Sequence, residues 1–251
     1  MELYGLLGYP LGHSFSAKYF AEKFQKEGIE AVYHNFEYPS VEEAMRFLLA
    51  QDNLQGFNVT IPYKQDVIPY LSGLSSEAEA IGAVNVVCVK RSESGKNILY
   101  GCNSDVIGFR ESIRPLLRTE VHKRALVLGT GGASKAVVHG LRQLGIEPMY
   151  VSRSASAGRL TYADLTEEIM KSYKVVVNCS PVGMYPKVDH CPDIPYQWLT
   201  PDHLLYDLVY NPLETLFMKR GAEHGAVVKN GLEMLHLQAE AAWDMWHHCK
   251  W

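Results

Sequence analysis

Arg124-Ala125-Leu126-Val127-Leu128-Gly129-Thr130-Gly131-Gly132-Ala133-Ser134, continued by Lys135–Leu144, is the stretch on which the fold turns. The run from Arg124 to Leu128 is short, apolar and rich in strand formers, and Lys135–Leu144 repeats its apolar residues at helical spacing. A strand that meets a glycine turn and opens a helix is the setting of a dinucleotide-binding fingerprint. Glycines permit the tight turn and close approach of the backbone, and the free N–H groups and dipole of the helix face a pyrophosphate. The match is incomplete, because Ser134 stands where G-x-G-x-x-G has its third glycine. A tight strand-to-helix turn with no ligand has the same local pattern, so the flanking sequence has to decide.

Downstream, Pro148–Ser152 reads as the next strand and ends in Ser152-Arg153-Ser154, with Arg159 a little beyond. An NAD site usually carries an acidic residue there for the ribose 2′-hydroxyl. A guanidinium suits a 2′-phosphate and stacks on adenine, whereas a carboxylate would repel that phosphate. Arg153 therefore favours NADP, although a solvated loop arginine would look the same. Tyr162–Lys171 has helical spacing, and Lys174–Cys179, Leu204–Val209 and Ala226–Val228 read as further strands. Pro181–Pro201, with five prolines, is a loop, and Asn230 is placed to cap a last helix over Leu232–His247.

Working back toward the N-terminus, strands are expected at Leu3–Gly8, Val32–Glu37 and Phe57–Ile61. Helices are expected over Ser16–Glu27, from a Ser40/Glu43 capping box to Ala50, and from Ser75/Ser76 toward Ala80. Val84–Lys90 and Asn97–Gly101 flank a polar turn and read as a hairpin. Apolar runs thus alternate with amphipathic ones from end to end, predicting an α/β fold of two domains. The expected division is a discontinuous substrate domain over 1–103 and 231–251 and a Rossmann-type dinucleotide-binding domain over 104–230.

A chain of 251 residues can build one large or two modest cores. A net charge of −4 with no basic run argues against a nucleic-acid binder. No apolar stretch approaches the roughly 20 residues of a membrane span, and the N-terminus lacks a signal-peptide pattern. Five cysteines with no CxxC pair indicate neither a disulfide framework nor a metal site. A reduced cytoplasmic setting is expected.

Polar residues with a chemical purpose concentrate in the first half. Gly56-Phe57-Asn58-Val59-Thr60-Ile61-Pro62-Tyr63-Lys64 puts an amide, a hydroxyl and an ammonium on one extended stretch, closed by a proline that blocks helix continuation. Strand ends are where α/β folds keep ligand-binding groups. Gly12-His13-Ser14-Phe15-Ser16 carries two hydroxyls at a helix start, suited to capping or to binding an anion. Gly82-Ala83-Val84-Asn85 places an amide at the start of a strand. Gly101-Cys102-Asn103-Ser104-Asp105 places a carboxylate in the first turn of a helix, either a helix-dipole charge or a catalytic group.

Taken in order, these motifs resemble the shikimate dehydrogenases. The likeness runs through Gly8-Tyr9-Pro10…His13–Ser16, the segment around Asn58, Thr60 and Lys64, Gly82–Asn85, and Asn103-Ser104-Asp105…Gly108-Phe109. It continues through Gly129–Ala133, Ser152–Ser154, Asn178-Cys179-Ser180…Gly183-Met184, Asp207–Pro212, and Asn230–Leu235 with Gln238, covering essentially the whole chain. The resemblance implies NADPH-dependent, reversible reduction of 3-dehydroshikimate to shikimate in aromatic amino-acid biosynthesis, in a cleft between the two domains. It implies Lys64 and Asp105 as the catalytic pair, and Ser14 and Ser16 as ligands of the substrate carboxylate with Tyr210 nearby. It also implies Thr60, Asn85, Asp105 and Gln238 as contacts to the ring hydroxyls or the carboxylate. For the cofactor it implies Gly129, Thr130, Gly131, Gly132, Ala133, Ser152, Arg153 and Ser154, with Leu208 and Gly231 bordering the nicotinamide. The expected partners are small molecules, with the protein a monomer or homodimer and no metal.

Several positions depart from the family's common pattern: Ala17 for Pro, Val86 for Thr, Ser104 for Thr, Thr130 for Ala and Ser152 for Asn. Ser104 keeps its hydroxyl, Val86 loses one and is expected to alter substrate fit, and Ser152 is expected to weaken adenosine-side contacts. Two rivals remain to be weighed. An NAD-dependent quinate/shikimate dehydrogenase would call for an acidic residue where Arg153 stands. A catalytically silent regulatory relative would call for the loss of Lys64 or Asp105.

Overall fold

The computed structural model of the chain describes residues 1–12 and 15–249. Two compact units emerge, one formed by 1–104 with the chain from Ala239 onward, the other by 105–238.

The first unit runs β1 (Glu2–Gly8), α1 (Phe15–Glu27), β2 (Ala31–Glu37), α2 (Val41–Leu49), β3 (Leu54–Val59), β4 (Gly73–Leu74), α3 (Ser76–Ile81), β5 (Val86–Arg91) and β6 (Asn97–Cys102). Its sheet has the order β2-β1-β3-β5-β6-β4. β1 pairs in parallel with both β2 and β3, and β5 and β6 continue antiparallel as the expected hairpin. Leu3, Leu7, Phe57, Val59, Val87 and Leu99 face α2 through Met45 and Leu48, forming one core. On the other face Tyr4, Phe20 and Phe24 pack with Trp243 and Trp246. Burial on both faces explains the unbroken apolar reading of β1. Serines start the helices as expected, Ser40 accepting from the Glu43 amide and Ser75 from that of Ala78.

The strand predicted over Phe57–Ile61 lies earlier, at Leu54–Val59. After Val59 the chain turns, with the Tyr63 amide bonded to the Thr60 carbonyl, because Pro62 has no N–H to continue a ladder. Lys64 thus belongs to the turn beyond the strand.

The second unit contains α4 (Asp105–Ile113), β7 (Arg124–Leu128), α5 (Gly132–Gln143), β8 (Glu147–Ser152), β9 (Arg159–Thr161), α6 (Glu167–Ser172), β10 (Val175–Asn178), β11 (Leu204–Asp207), α7 (Leu216–Glu223) and β12 (Val227–Lys229). Helix α8 (Leu232–His248) follows. The strands form a parallel sheet of order β12-β11-β10-β7-β8-β9. Numbered from β7, this is the 3-2-1-4-5-6 order of the doubly wound dinucleotide-binding fold, with the crevice expected where β7 parts from β10. Leu126, Val127, Val176 and Val177 are fully buried between helices on both faces.

Strand β9 had no counterpart in the sequence reading, and three further features differ from it. The helix expected over Tyr162–Lys171 is two pieces, a 3-10 turn at Tyr162–Asp164 and α6. Asp164 accepts from the Thr161 amide and hydroxyl, and Thr166 caps α6 anew through the Ile169 amide, so each threonine begins its own turn. α7 was not anticipated. The return to the first unit falls at Ala239 rather than at residue 231. Met234 is buried with Phe109, Val137 and Tyr206, and only from Ala239 do the residues of α8 pack with Tyr4 and Phe20.

Candidate functional site

In the second unit a glycine turn joins β7 to α5, the strand–turn–helix order read from the sequence. The Gly129 amide bonds the Val151 carbonyl at 2.9 Å. Its φ of +104° is a conformation side chains rarely adopt, and a Cβ there would lie 3.4 Å from the Cys179 and Ser180 backbone. Gly131 is the N-cap of α5 and has no side-chain cap bond, so the first amides of the helix remain for a ligand. A Cβ on Gly131 or Gly132 would meet nothing within 4 Å, so open space stands over the helix end. Ser134, in place of the third glycine, is buried and donates its hydroxyl to the Gly131 carbonyl at 2.6 Å. A small side chain that bonds its own turn keeps the helix start tight.

Beside this turn lies a cavity of about 640 Å³ lined by Gly129, Thr130, Gly131, Ser152, Arg153 and Tyr162, among others. Arg153 is exposed at the end of β8, and its charge opposes the rise that burial imposes on the Tyr162 phenol. The Ser152 hydroxyl donates to the Ser154 carbonyl at 2.6 Å, curling the chain past Arg153. Gly132 and Ala133 open α5 without lining the cavity, and neither does Ser154. Cys191, Pro192 and Asp193, from the proline-rich loop, do line it. Nothing in their local sequence signals that role, because the loop has no periodicity and is brought there by the fold.

A network at the ends of β10 and β11 holds the neighbouring loops. Asp207, fully buried, accepts from Asn178 Nδ2 (2.9 Å), Thr215 Oγ1 (2.7 Å) and the Val209 amide (3.0 Å). Burial nevertheless raises its carboxyl to about 6, against those bonds. Asn178 Oδ1 accepts from the Ser180 amide and hydroxyl, fixing the chain on the cavity wall. Leu208 and Gly231, both assigned to the nicotinamide side, meet. A Cβ on Gly231 would stand 2.2 Å from the Leu208 carbonyl oxygen, so only glycine fits. Asp105 is buried as the first residue of α4. Gln238 packs one turn further along that helix, 3.0 Å from where a Gly108 Cβ would be, and Tyr210 lies partly exposed after Asp207 and Leu208.

In the first unit the predicted residues gather at the carboxyl ends of β1 and β3. Ser16 lies in the first turn of α1 rather than at its cap and hydrogen-bonds the Tyr33 hydroxyl. Burial pushes the Tyr33 phenol up, and the bond from Ser16 opposes the rise. Tyr33 donates to Asn58 Oδ1 at 2.8 Å, and Asn58 Nδ2 donates to the Asn85 carbonyl at 3.2 Å. Asn85 donates to Ser104 Oγ at 3.0 Å and accepts from the Ser104 amide at 2.7 Å. Ser16 and Asn85 are thereby joined through Tyr33 and Asn58, links that sequence reasoning left unassigned. Thr60 bonds the Leu7 carbonyl through its amide, and its methyl sits 2.5 Å from where a Gly8 Cβ would be. Lys64 is partly buried, and its carbonyl accepts from the Val84 amide at 2.7 Å, beside Asn85. Ser14 lies outside the described residues. Val86, expected to alter substrate fit, is fully buried with Cys88, Cys102 and Ala242, so its effect is on packing.

The polar strand ends of one unit and the glycine cradle of the other meet the requirements of a polyol-like substrate and of a phosphorylated dinucleotide. No helix among the described residues is long and apolar enough to cross a membrane. The family model described as the shikimate dehydrogenase substrate binding domain matches residues 6–87. A shikimate dehydrogenase (NADP(+)) of Clostridium beijerinckii is 38% identical, with 100% of this chain and 93% of that protein covered. The crystal structure of the Thermus thermophilus shikimate 5-dehydrogenase in complex with NADP(H) and shikimate superposes with a TM-score of 0.82 at 30% identity, over 98% of this chain and 93% of that one. A quinate dehydrogenase of Corynebacterium glutamicum in complex with NAD superposes with a TM-score of 0.85 at 25% identity, over 98% and 93% of the two chains. With identity of this level sustained over the full length of both units, the chain belongs to the shikimate dehydrogenase family.

Proposed function

We propose that the protein catalyses the NADPH-dependent, reversible reduction of 3-dehydroshikimate to shikimate, a step of aromatic amino-acid biosynthesis. The observation that carries this reading is the match to an NADP-dependent shikimate dehydrogenase across the entire chain, which accounts for both units at once. NADPH, when bound, supplies the hydride. Gly129 forms the tight turn, and Thr130, Gly131, Gly132 and Ala133 bring backbone amides and a helix N-terminus to its pyrophosphate. The open space over Gly131 and Gly132 fits that group. Arg153, with Ser152 and Ser154, holds the adenosine 2′-phosphate, and Leu208 and Gly231 border the nicotinamide.

Ser14 and Ser16 hold the substrate carboxylate, with Tyr210 close to it. Thr60, Asn85, Asp105 and Gln238 contact the ring hydroxyls or the carboxylate. As the ketone is reduced, negative charge builds on its oxygen, and the Lys64 ammonium stabilises that charge, either as an electrostatic clamp or as the proton donor. Asp105, the other member of the proposed catalytic pair, accepts from a substrate hydroxyl. The quinate dehydrogenase with NAD shares this fold, so fold alone does not choose the cofactor; the guanidinium of Arg153 supports NADP. We place the reaction in the cytoplasm, in a monomer or homodimer.

The test is NADPH oxidation by the purified chain with 3-dehydroshikimate, beside NADH as cofactor and quinate in the reverse direction. Turnover with NADPH at least about tenfold above NADH is expected. Equal use of NADH would overturn the role of Arg153, and no oxidation with either cofactor would overturn the reaction.

A further inference from the structure

Three of the five cysteines, although no sequence spacing links them, meet at one point of the first unit. In the β5–β6 register Val86 opposes Cys102 and Cys88 opposes Tyr100. Alternate residues face the same side, so Cys88 and Cys102 project together from that face. Ala242, Met245 and Trp246 of α8 cover the face, and the chain then delivers Cys249, 147 positions from Cys102. The Cys249 amide bonds the Met245 carbonyl at 2.9 Å, holding it one helical turn beyond. Cys88 Sγ donates to the same carbonyl at 3.3 Å. The Cys102 and Cys249 sulfurs are 3.9 Å apart, and all three sulfurs lie within 4.8 Å of one another.

A free cysteine in a core is ordinarily a small apolar residue. Here three sulfurs converge, which apolar packing does not require. A closed-shell cation bound by thiolates at about 2.3 Å holds its sulfurs about 3.8 Å apart when tetrahedral and about 4.0 Å when trigonal. The spacing in this cluster is close to that, needing a contraction below about 1 Å at its longest edge. Cys88 and Cys102 are buried, while Cys249 is partly exposed and gives an ion a way in.

We propose that Cys88, Cys102 and Cys249 form a three-thiolate site for a soft closed-shell cation, Zn²⁺ or Cu⁺. Thiolates select such ions over the hard cations that bind carboxylates. Each sulfur–metal bond replaces an S–H, whose proton leaves to solvent. A bound ion would tie the end of the chain after α8 to the β5–β6 hairpin.

The test uses the full chain, reduced and stripped of metal with a chelator. It is titrated with Co²⁺ as the spectroscopic stand-in for Zn²⁺, and with Cu⁺ against a chromogenic Cu⁺ chelator. One ion per chain is expected, with either a thiolate-to-metal charge-transfer band for Co²⁺ that added Zn²⁺ displaces, which names Zn²⁺, or Cu⁺ held against the chelator without such a band, which names Cu⁺. Cys249→Ser, at the one partly exposed member of the cluster, should weaken binding at least about a hundredfold, as should Cys102→Ser. Cys191→Ser, in the other unit, should bind the ion as wild type does. Absence of the band and of chelator-resistant Cu⁺, or binding by Cys249→Ser equal to wild type, overturns the site. So does a Cys102–Cys249 disulfide that forms in air as readily with the ion present as without it.

Discussion

The second unit offers a ligand mainly backbone: glycines with open space above them, the uncapped start of α5, and one guanidinium at the end of β8. The first unit offers mainly side chains, a bonded series from Ser16 through Tyr33, Asn58 and Asn85 to Ser104 along the strand ends. The difference follows what each must recognise. A pyrophosphate is met by N–H groups, which need no particular side chain so long as none intrudes. A ring with several hydroxyls needs donors and acceptors at fixed positions, and these hold their positions only because they bond one another. The cradle should therefore fail when a side chain is added, and the polar series when one is removed.

Adding bulk should make a large change. Gly131→Val, whose Cβ would project into open space, is expected to fold as stably as wild type yet lose about a hundredfold in NADPH affinity, ~2.7 kcal/mol, measured by ligand titration. Unchanged affinity would mean that the pyrophosphate lies elsewhere.

Asp207 sharpens the contrast, since a buried carboxyl supports the cradle's loops. Its folded value of about 6 stands above the ordinary 3.8, so the folded state binds the extra proton between those limits. Its stabilising contribution is complete below about pH 4 and lost as pH rises through 6, about 3 kcal/mol in all. Between pH 4 and 7 the unfolding free energy of wild type, measured in urea, should fall by up to that amount more than that of Asp207→Asn. Parallel profiles would contradict it.

Arg153→Ala should lower the preference for NADPH over NADH by roughly 10- to 100-fold, the scale of about 1.5–3 kcal/mol for a bond to a charged group, read from kcat/KM with each cofactor. In the first unit, Asn85→Ala leaves the buried Ser104 amide without its acceptor and should cost about 1–3 kcal/mol of stability, seen in denaturant titration. It should also raise the KM for substrate without changing that for NADPH.

How far the molecule could be read from its residues follows the same line. The glycine cradle and Arg153 were legible because strand, turn and helix are local and each glycine has a local reason. Ser75 and Ser40 were legible as caps on the same ground. The helix over 162–171 was misread because Thr161 and Thr166 each start a turn, and periodicity alone does not show where a cap restarts the helix. The polar series was legible only as separate motifs; Tyr33 carried no signal, since its neighbours in space come from α1 and β3. Val86 was misjudged because strand alternation, not motif position, decides which face a side chain joins. The three cysteines were illegible for the plainest reason, that only the packing of α8 on the hairpin brings Cys249 to Cys102.

The division of labour is tested most directly by Lys64→Ala, assayed for 3-dehydroshikimate turnover and, separately, for NADPH affinity. If Lys64 serves the chemistry and the glycine turn after β7 holds the cofactor, kcat falls by about 100-fold or more while the NADPH dissociation constant stays within about twofold of wild type. Turnover close to wild type in a folded variant, or a loss of NADPH affinity matching the loss of turnover, would contradict it.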